Sequence, residues 1–123
     1  MTEREMAIRA ARAADEKKAE DVIILDMADL TVLTDYFVIC SGSTNAQVRA
    51  IIEAVEKSLA EEGVYPLRRE GDHVSRWALM DYGGVVVHVF HHAERDYYRL
   101  EELWKQAPRV DWQAETPLPS RAE

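Results

Sequence analysis

The sequence predicts an α/β domain, a mixed sheet of about five strands flanked by helices. Three observations carry that prediction. In Arg76–His91, Trp77, Leu79 and Asp81 alternate with Ala78, Met80 and Tyr82, and beyond Gly83-Gly84 the run Val85–Phe90 alternates again around His88. That is the pattern of two strands joined by a two-residue turn. Ser41-Gly-Ser-Thr44 separates the strand-like Tyr36–Cys40 from Val48, Ile51, Ile52, Val55 and Leu59, which recur at helical spacing. Finally, the predicted elements run helix, strand, strand, helix, strand, strand, strand, helix, an order that layers helices on a sheet.

Taken in order, Thr2 to Ala19 is rich in Ala, Glu, Arg and Lys, with a thin apolar stripe of Met6, Ile8, Ala10, Ala11 and Ala14. A helix follows from propensity more than from burial, and it is expected to pack loosely or to frame a partner. Val22–Leu25 and Tyr36–Cys40 read as neighbouring strands. Thr44 and Gln47 stand at capping-box spacing ahead of the second helix, which Gly63 ends. Val64–Arg69 is extended, but Pro66 lacks a backbone donor, so this strand belongs at an edge. In the hairpin, the strand Val85–Phe90 is apolar on both faces except at His88, which suits the middle of a sheet; the strand before it ends in polar Asp81 and Tyr82 and can offer a surface. A last helix is expected over Ala93–Ala107, with Tyr97, Leu100, Leu103 and Trp104 on one face, before Pro108 stops it. The domain thus covers residues 1–107, and 108–123, containing Pro117 and Pro119, reads as a flexible tail.

A net charge of −8, from 15 basic and 23 acidic residues, opposes direct binding to a phosphate backbone; the acidic surface reads as one that keeps the chain soluble or, more sharply, as one that meets a basic protein partner. The longest apolar runs fall far short of the roughly 18 residues a membrane span requires, and the first residues lack a signal peptide's apolar stretch, so the expected location is cytoplasmic and no membrane partner is expected. The single cysteine, Cys40, cannot form an internal disulfide and lies inside an apolar run, which makes it a small buried hydrophobe.

Several residues resemble chemistry. Gly42-Ser43, between a strand and a helix, is similar to the phosphate-cradling turn of nucleotidyltransferases. Such enzymes also need carboxylates for magnesium, and residues 45–52 contain none; Glu53 and Glu56 fall on the polar side of the helix. The expected fold is therefore like that of a nucleotidyltransferase without its catalytic carboxylates. His88, His91 and His92 suggest a metal, but on a strand His88 and His92 would stand about 13 Å apart with His91 on the other face. A packed or hydrogen-bonded His88 follows. No catalytic residue, metal or cofactor is expected.

Leu33-Thr-Asp-Tyr-Phe-Val-Ile-Cys-Ser-Gly42, Glu70-Gly71, Trp77, Asp81-Tyr-Gly83, Val85-Val-Val-His-Val-Phe90, Arg95, Tyr98 and Leu100-Glu-Glu-Leu-Trp104 together resemble the ribosomal silencing factor family, also called RsfS or Iojap-related. The likeness covers about residues 5 to 107. It implies a non-enzymatic repressor of translation that binds the large ribosomal subunit at its protein number fourteen and sterically blocks joining of the small subunit when nutrients are short. Gly84 stands where the family usually has an acidic residue, and the C-terminal tail has no counterpart. The resemblance and the less apolar hairpin strand place the expected docking surface at Glu70, Gly71, Trp77, Leu79, Met80, Asp81 and Tyr82. The alternative is a nucleotidyltransferase-like enzyme using Gly42-Ser43. The N-terminal helix and the edge around Pro66 also leave surface for a second copy, so a homodimer is expected.

Overall fold

The computed structural model describes residues 1–114. Its sheet has six strands: β1 (Glu20–Asp26), β2 (Tyr36–Gly42), β3 (Arg68–Glu70), β4 (Trp77–Asp81), β5 (Val85–His91) and β6 (Arg109–Val110). Their spatial order is β3-β4-β5-β2-β1-β6. Only β2 and β5 run parallel; every other neighbouring pair is antiparallel, so the sheet is mixed as expected. β5 lies in the middle, buried along Val85–Phe90. The hairpin that supplies it turns on Gly83-Gly84, with Tyr82 N–H donating to Val85 O across the turn at 2.9 Å. Gly83 has φ +88°, the left-handed value that a II′ turn requires of its first central residue.

Strand parity sorts the side chains into two layers. Val38 and Cys40 of β2, Ala78 and Met80 of β4, and Val85, Val87 and Val89 of β5 face helices α1 (Glu3–Glu16) and α2 (Asn45–Ala60). Ile39, Phe90, Leu25 and Met27 face the other way, into a smaller cluster that Phe37, Trp77, Leu100 and Trp104 complete. One face is closed; the other is half open.

The expectation of a loosely packed first helix is overturned. Ala7, Ala10, Ala11 and Ala14 have no exposed surface and Ile8 almost none, because alanines let α1 settle closely on the sheet and on α2. Arg9 fastens the pair, with Nε donating to Ser58 O and Nη1 donating to Glu62 Oε1, both at 3.0 Å. Thr2 and Glu5 form a capping box at the helix start.

Three boundaries also move. β3 begins only at Arg68, beyond Pro66, and is three residues long, all exposed. The last predicted helix breaks at Arg99 (φ 48°) into α3 (His92–Tyr98) and α4 (Leu100–Leu103). Buried Arg95 holds the break, with Nε 3.1 Å from Glu101 Oε1 and Nη1 donating to Glu20 O at 3.1 Å. The kink turns Tyr97 and Leu103 outward while Leu100 and Trp104 still pack on the sheet. The expected domain boundary at 107 also falls short: Arg109–Val110 pairs with β1, and the Trp112 indole donates to Val22 O at 2.9 Å. Open backbone groups on the outer edge of β1 explain why the chain continues the sheet past Pro108. The rest of the expected tail lies outside the described residues.

Candidate functional site

The half-open face is centred on β4. Trp77 stacks on Phe90 with ring centres 4.7 Å apart, lies 4.8 Å from Tyr98, and its Nε1–H donates to His88 Nδ1 at 3.3 Å. It is half-buried, so its ring is held on one side and offered on the other. The loop before it is built to set this position. Asp72 accepts from the N–H groups of Val74 and Ser75, both at 2.9 Å, and those bonds hold its carboxyl below the usual range, the bond from Ser75 most of all. Gly71 has φ +72°, and a β-carbon there would collide with the Trp77 carbonyl. Only glycine fits.

Glu70, Gly71, Trp77 and Leu79 line one hollow of about 240 Å³. Beside it lies a larger groove of about 420 Å³, walled by Leu33, Thr34, Phe37, Leu79, Val86 and Trp104, with Arg68 and Asp81 at its rim. Asp81 is already engaged: Oδ1 accepts from Gly83 N–H at 2.8 Å and Oδ2 lies 3.4 Å from Arg68 Nε. Arg68 in turn reaches Glu70 at 3.2 Å. These pairs are largely exposed and add little stability, so the rim charges remain answerable to a partner.

The structure brings five expected docking residues, Glu70, Gly71, Trp77, Leu79 and Asp81, to this face. It corrects the other two. Met80 has no exposed surface and Tyr82 is 8% exposed; both belong to the core under α1 and α2. A strand points successive side chains to opposite faces, so Leu79 and Met80 cannot share a surface. Burial also pushes the Tyr82 phenol upward. Sequence reasoning missed Leu33, Phe37, Val86 and His88 as parts of the face. Leu33 is 83% exposed in the β1–β2 loop, a position that apolar periodicity does not reach.

His88 is packed and hydrogen-bonded, 4% exposed, and burial pushes its imidazole down to about 4. His91 and His92 depart from the strand geometry expected of them, because β5 ends at His91, whose side chain caps α3 by accepting from Ala93 N–H at 3.3 Å. Among the described residues no three His, Cys, Asp or Glu side chains are grouped to hold a metal. The Gly42-Ser43 turn is occupied by its own helix: Gln47 Oε1 accepts from Ser43 N–H at 2.7 Å, and Gln47 N–H donates to Thr44 Oγ1. A phosphate would have to displace that side chain. No helix is long and apolar enough to cross a membrane among these residues.

Fold and face define a small α/β domain with one sheet surface closed by helices and one carrying a half-open aromatic and apolar site. The profile of the family described as "Ribosomal silencing factor during starvation" matches residues 1–123, so it includes the segment after residue 107 for which no counterpart was expected. A protein of Bacillus subtilis named ribosomal silencing factor RsfS is 47% identical over 102 residues, covering 83% of this chain and 86% of that protein. One of the same name from Halalkalibacterium halodurans is 45% identical over 111 residues, covering 90% and 95%. A crystal structure of a Chromobacterium violaceum protein superposes with a TM-score of 0.80 at 36% identity, covering 96% of this chain and 92% of that one. The chain belongs to the ribosomal silencing factor family.

Proposed function

We propose that this protein represses translation in the cytoplasm by docking its half-open sheet face on the large ribosomal subunit, at protein number fourteen, so that its body obstructs joining of the small subunit. The observation that carries this reading is the face itself: Trp77 and Leu79 beside an apolar groove, on a chain of net charge −8. Ribosomal proteins are basic where they meet RNA, and an acidic domain is repelled by phosphate but attracted to such a patch. Family membership supports the same reading. Obstruction needs only occupancy, so it requires neither turnover nor a cofactor. Glu70 and Asp81, at the exposed rim, set the association rate and its salt dependence, whereas Trp77, partly desolvated already, sets dissociation.

The test is subunit joining in a purified system without nucleotide, titrated with this protein at fixed ribosome concentration. Inhibition saturates near one copy per large subunit and weakens as salt rises. Normal joining with every large subunit occupied, or inhibition by catalytic amounts, would overturn the mechanism. A second copy of the chain would associate through surface that remains open, and with the apolar stripe of α1 buried, the exposed edge of β3 is one such surface.

A further inference from the structure

Within that docking reading, on which this step rests, we propose that the groove over His88 receives a loop of the protein partner. An apolar side chain of the loop packs against Phe37, Leu79 and Val86, and a main-chain carbonyl oxygen of the loop accepts a hydrogen bond from His88 Nε2.

The tautomer of His88 follows from its neighbour. An indole nitrogen can only donate, so the 3.3 Å contact from Trp77 Nε1 makes Nδ1 of His88 the acceptor. A neutral imidazole with a bare Nδ1 carries its proton on Nε2. Burial keeps the ring neutral, since its charged form is disfavoured down to about pH 4. Nε2–H is therefore a donor, it is enclosed, and no residue among those described accepts from it. Leaving such a donor unanswered is costly, and buried polar groups in folded proteins are rarely left so. His88 is part of the groove lining, and because its Nε2 has no surface open to solvent, groove side chains shift on docking to admit the incoming oxygen.

The surroundings select the acceptor. Asp81 stands at the rim and the chain carries a net charge of −8, so a carboxylate or phosphate would meet repulsion; a neutral carbonyl would not. Arg68 is the one rim cation among the groove-lining residues and faces two carboxylates, Glu70 and Asp81, so the rim as a whole is negative. The walls are apolar, and Leu33 stands exposed beside them, ready to be covered. A loop on a basic protein combines all three: an apolar side chain for the walls, a backbone carbonyl for the floor, and positive charge opposite Glu70 and Asp81.

Two substitutions separate the two nitrogens. His88→Asn places an amide oxygen near Nδ1, keeping an acceptor for Trp77 while deleting the Nε2 donor. His88→Gln places an amide nitrogen near Nε2 and gives up the bond to Trp77. Affinity for isolated large ribosomal subunits, measured by cosedimentation at fixed salt, should fall about tenfold for His88→Asn and less than threefold for His88→Gln. Equal affinity of His88→Asn and wild type, or an equal loss in both variants, overturns the proposal. Should the Asn variant not fold, wild-type protein labelled with 15N at histidine answers the question on adding the purified large-subunit protein number fourteen. The Nε2–H proton should move downfield and exchange more slowly with water; an unmoved signal in the bound state overturns it. If wild-type protein binds neither the subunit nor that protein, the docking reading itself fails; if it binds and only the His88 measurements are flat, the groove inference alone does.

Discussion

The carbonyl of Trp77 occupies the place where a β-carbon on Gly71 would have to go. Gly71→Ala must therefore move the loop that presents the indole, and its left-handed φ adds strain. A loss of about 2 kcal/mol or more in denaturant unfolding is expected. Gly63 has a similar φ of +74° but nothing within 4 Å of a built β-carbon, so Gly63→Ala should cost only about 1 kcal/mol. Equal losses in the two variants would contradict the close approach.

Adjacent residues of β4 should respond oppositely to truncation. Met80→Ala empties part of the closed core and is expected to cost about 2 to 4 kcal/mol, whereas Leu79→Ala removes a half-exposed side chain and should cost about 1 kcal/mol. Large-subunit binding should follow the reverse order once each variant is compared at a temperature where it is folded. A Leu79 variant that unfolds as readily as the Met80 variant would refute the assignment of faces.

Acid should weaken the fold through His88. Its folded pKa of about 4 lies below the ordinary 6.5, so the unfolded chain binds the proton first as pH falls. The contribution is complete above about pH 6.5 and is lost progressively down to about pH 4, at about 1.4 kcal/mol for each pH unit between them. Unfolding free energies across this window should flatten in His88→Asn relative to wild type. Parallel curves would show that another group carries the acid sensitivity.

Cys40 should be inert while the domain is folded. Burial pushes its thiol up to about 12, and the Sγ–H points to His88 O at 3.8 Å. A thiol-specific reagent should label it only at the rate of unfolding, and labelling in native buffer within seconds would count against this burial.

Light scattering addresses self-association. With α1 packed away, the exposed edge of β3 offers one route to a two-fold pair, and if a dimer forms there, charge reversal at Arg69, on that edge, should shift it toward monomer. One chain's mass at every micromolar concentration would remove the homodimer altogether.

What was legible in the sequence was what repeats. The hairpin and α2 follow from alternation and helical spacing, and both stand where expected. The candidate face was legible only in part, because neighbours in sequence were grouped where parity separates them: Met80 and Tyr82 belong with Ala78, not with Leu79. His88, Phe37 and Leu33 come to the groove from separate segments, and no local pattern announces such a meeting. The break at Arg99 was hidden because an arginine occupies a left-handed position that glycine or asparagine usually marks. β6 is two residues long, too short for any period to register. The family resemblance implies an acidic residue at the position of Gly84, and the structure supplies a reason against one. A side chain there would meet Glu3 of α1 and approach Asp35 Oδ2 at 3.5 Å, so a third carboxylate would be repelled.

The sixth strand has a consequence for synthesis. Among the described residues, the outer edge of β1 is covered by Arg109–Val110, by the Pro108 carbonyl and by the Trp112 indole, which are translated after every element they cover. A nascent chain in which β1 and β2 have already paired therefore leaves the ribosomal tunnel with a bare strand edge, open to a second nascent chain on the same polysome. Until Trp112 emerges, the contacts that cover this edge in the folded domain are not yet there to keep neighbouring chains apart.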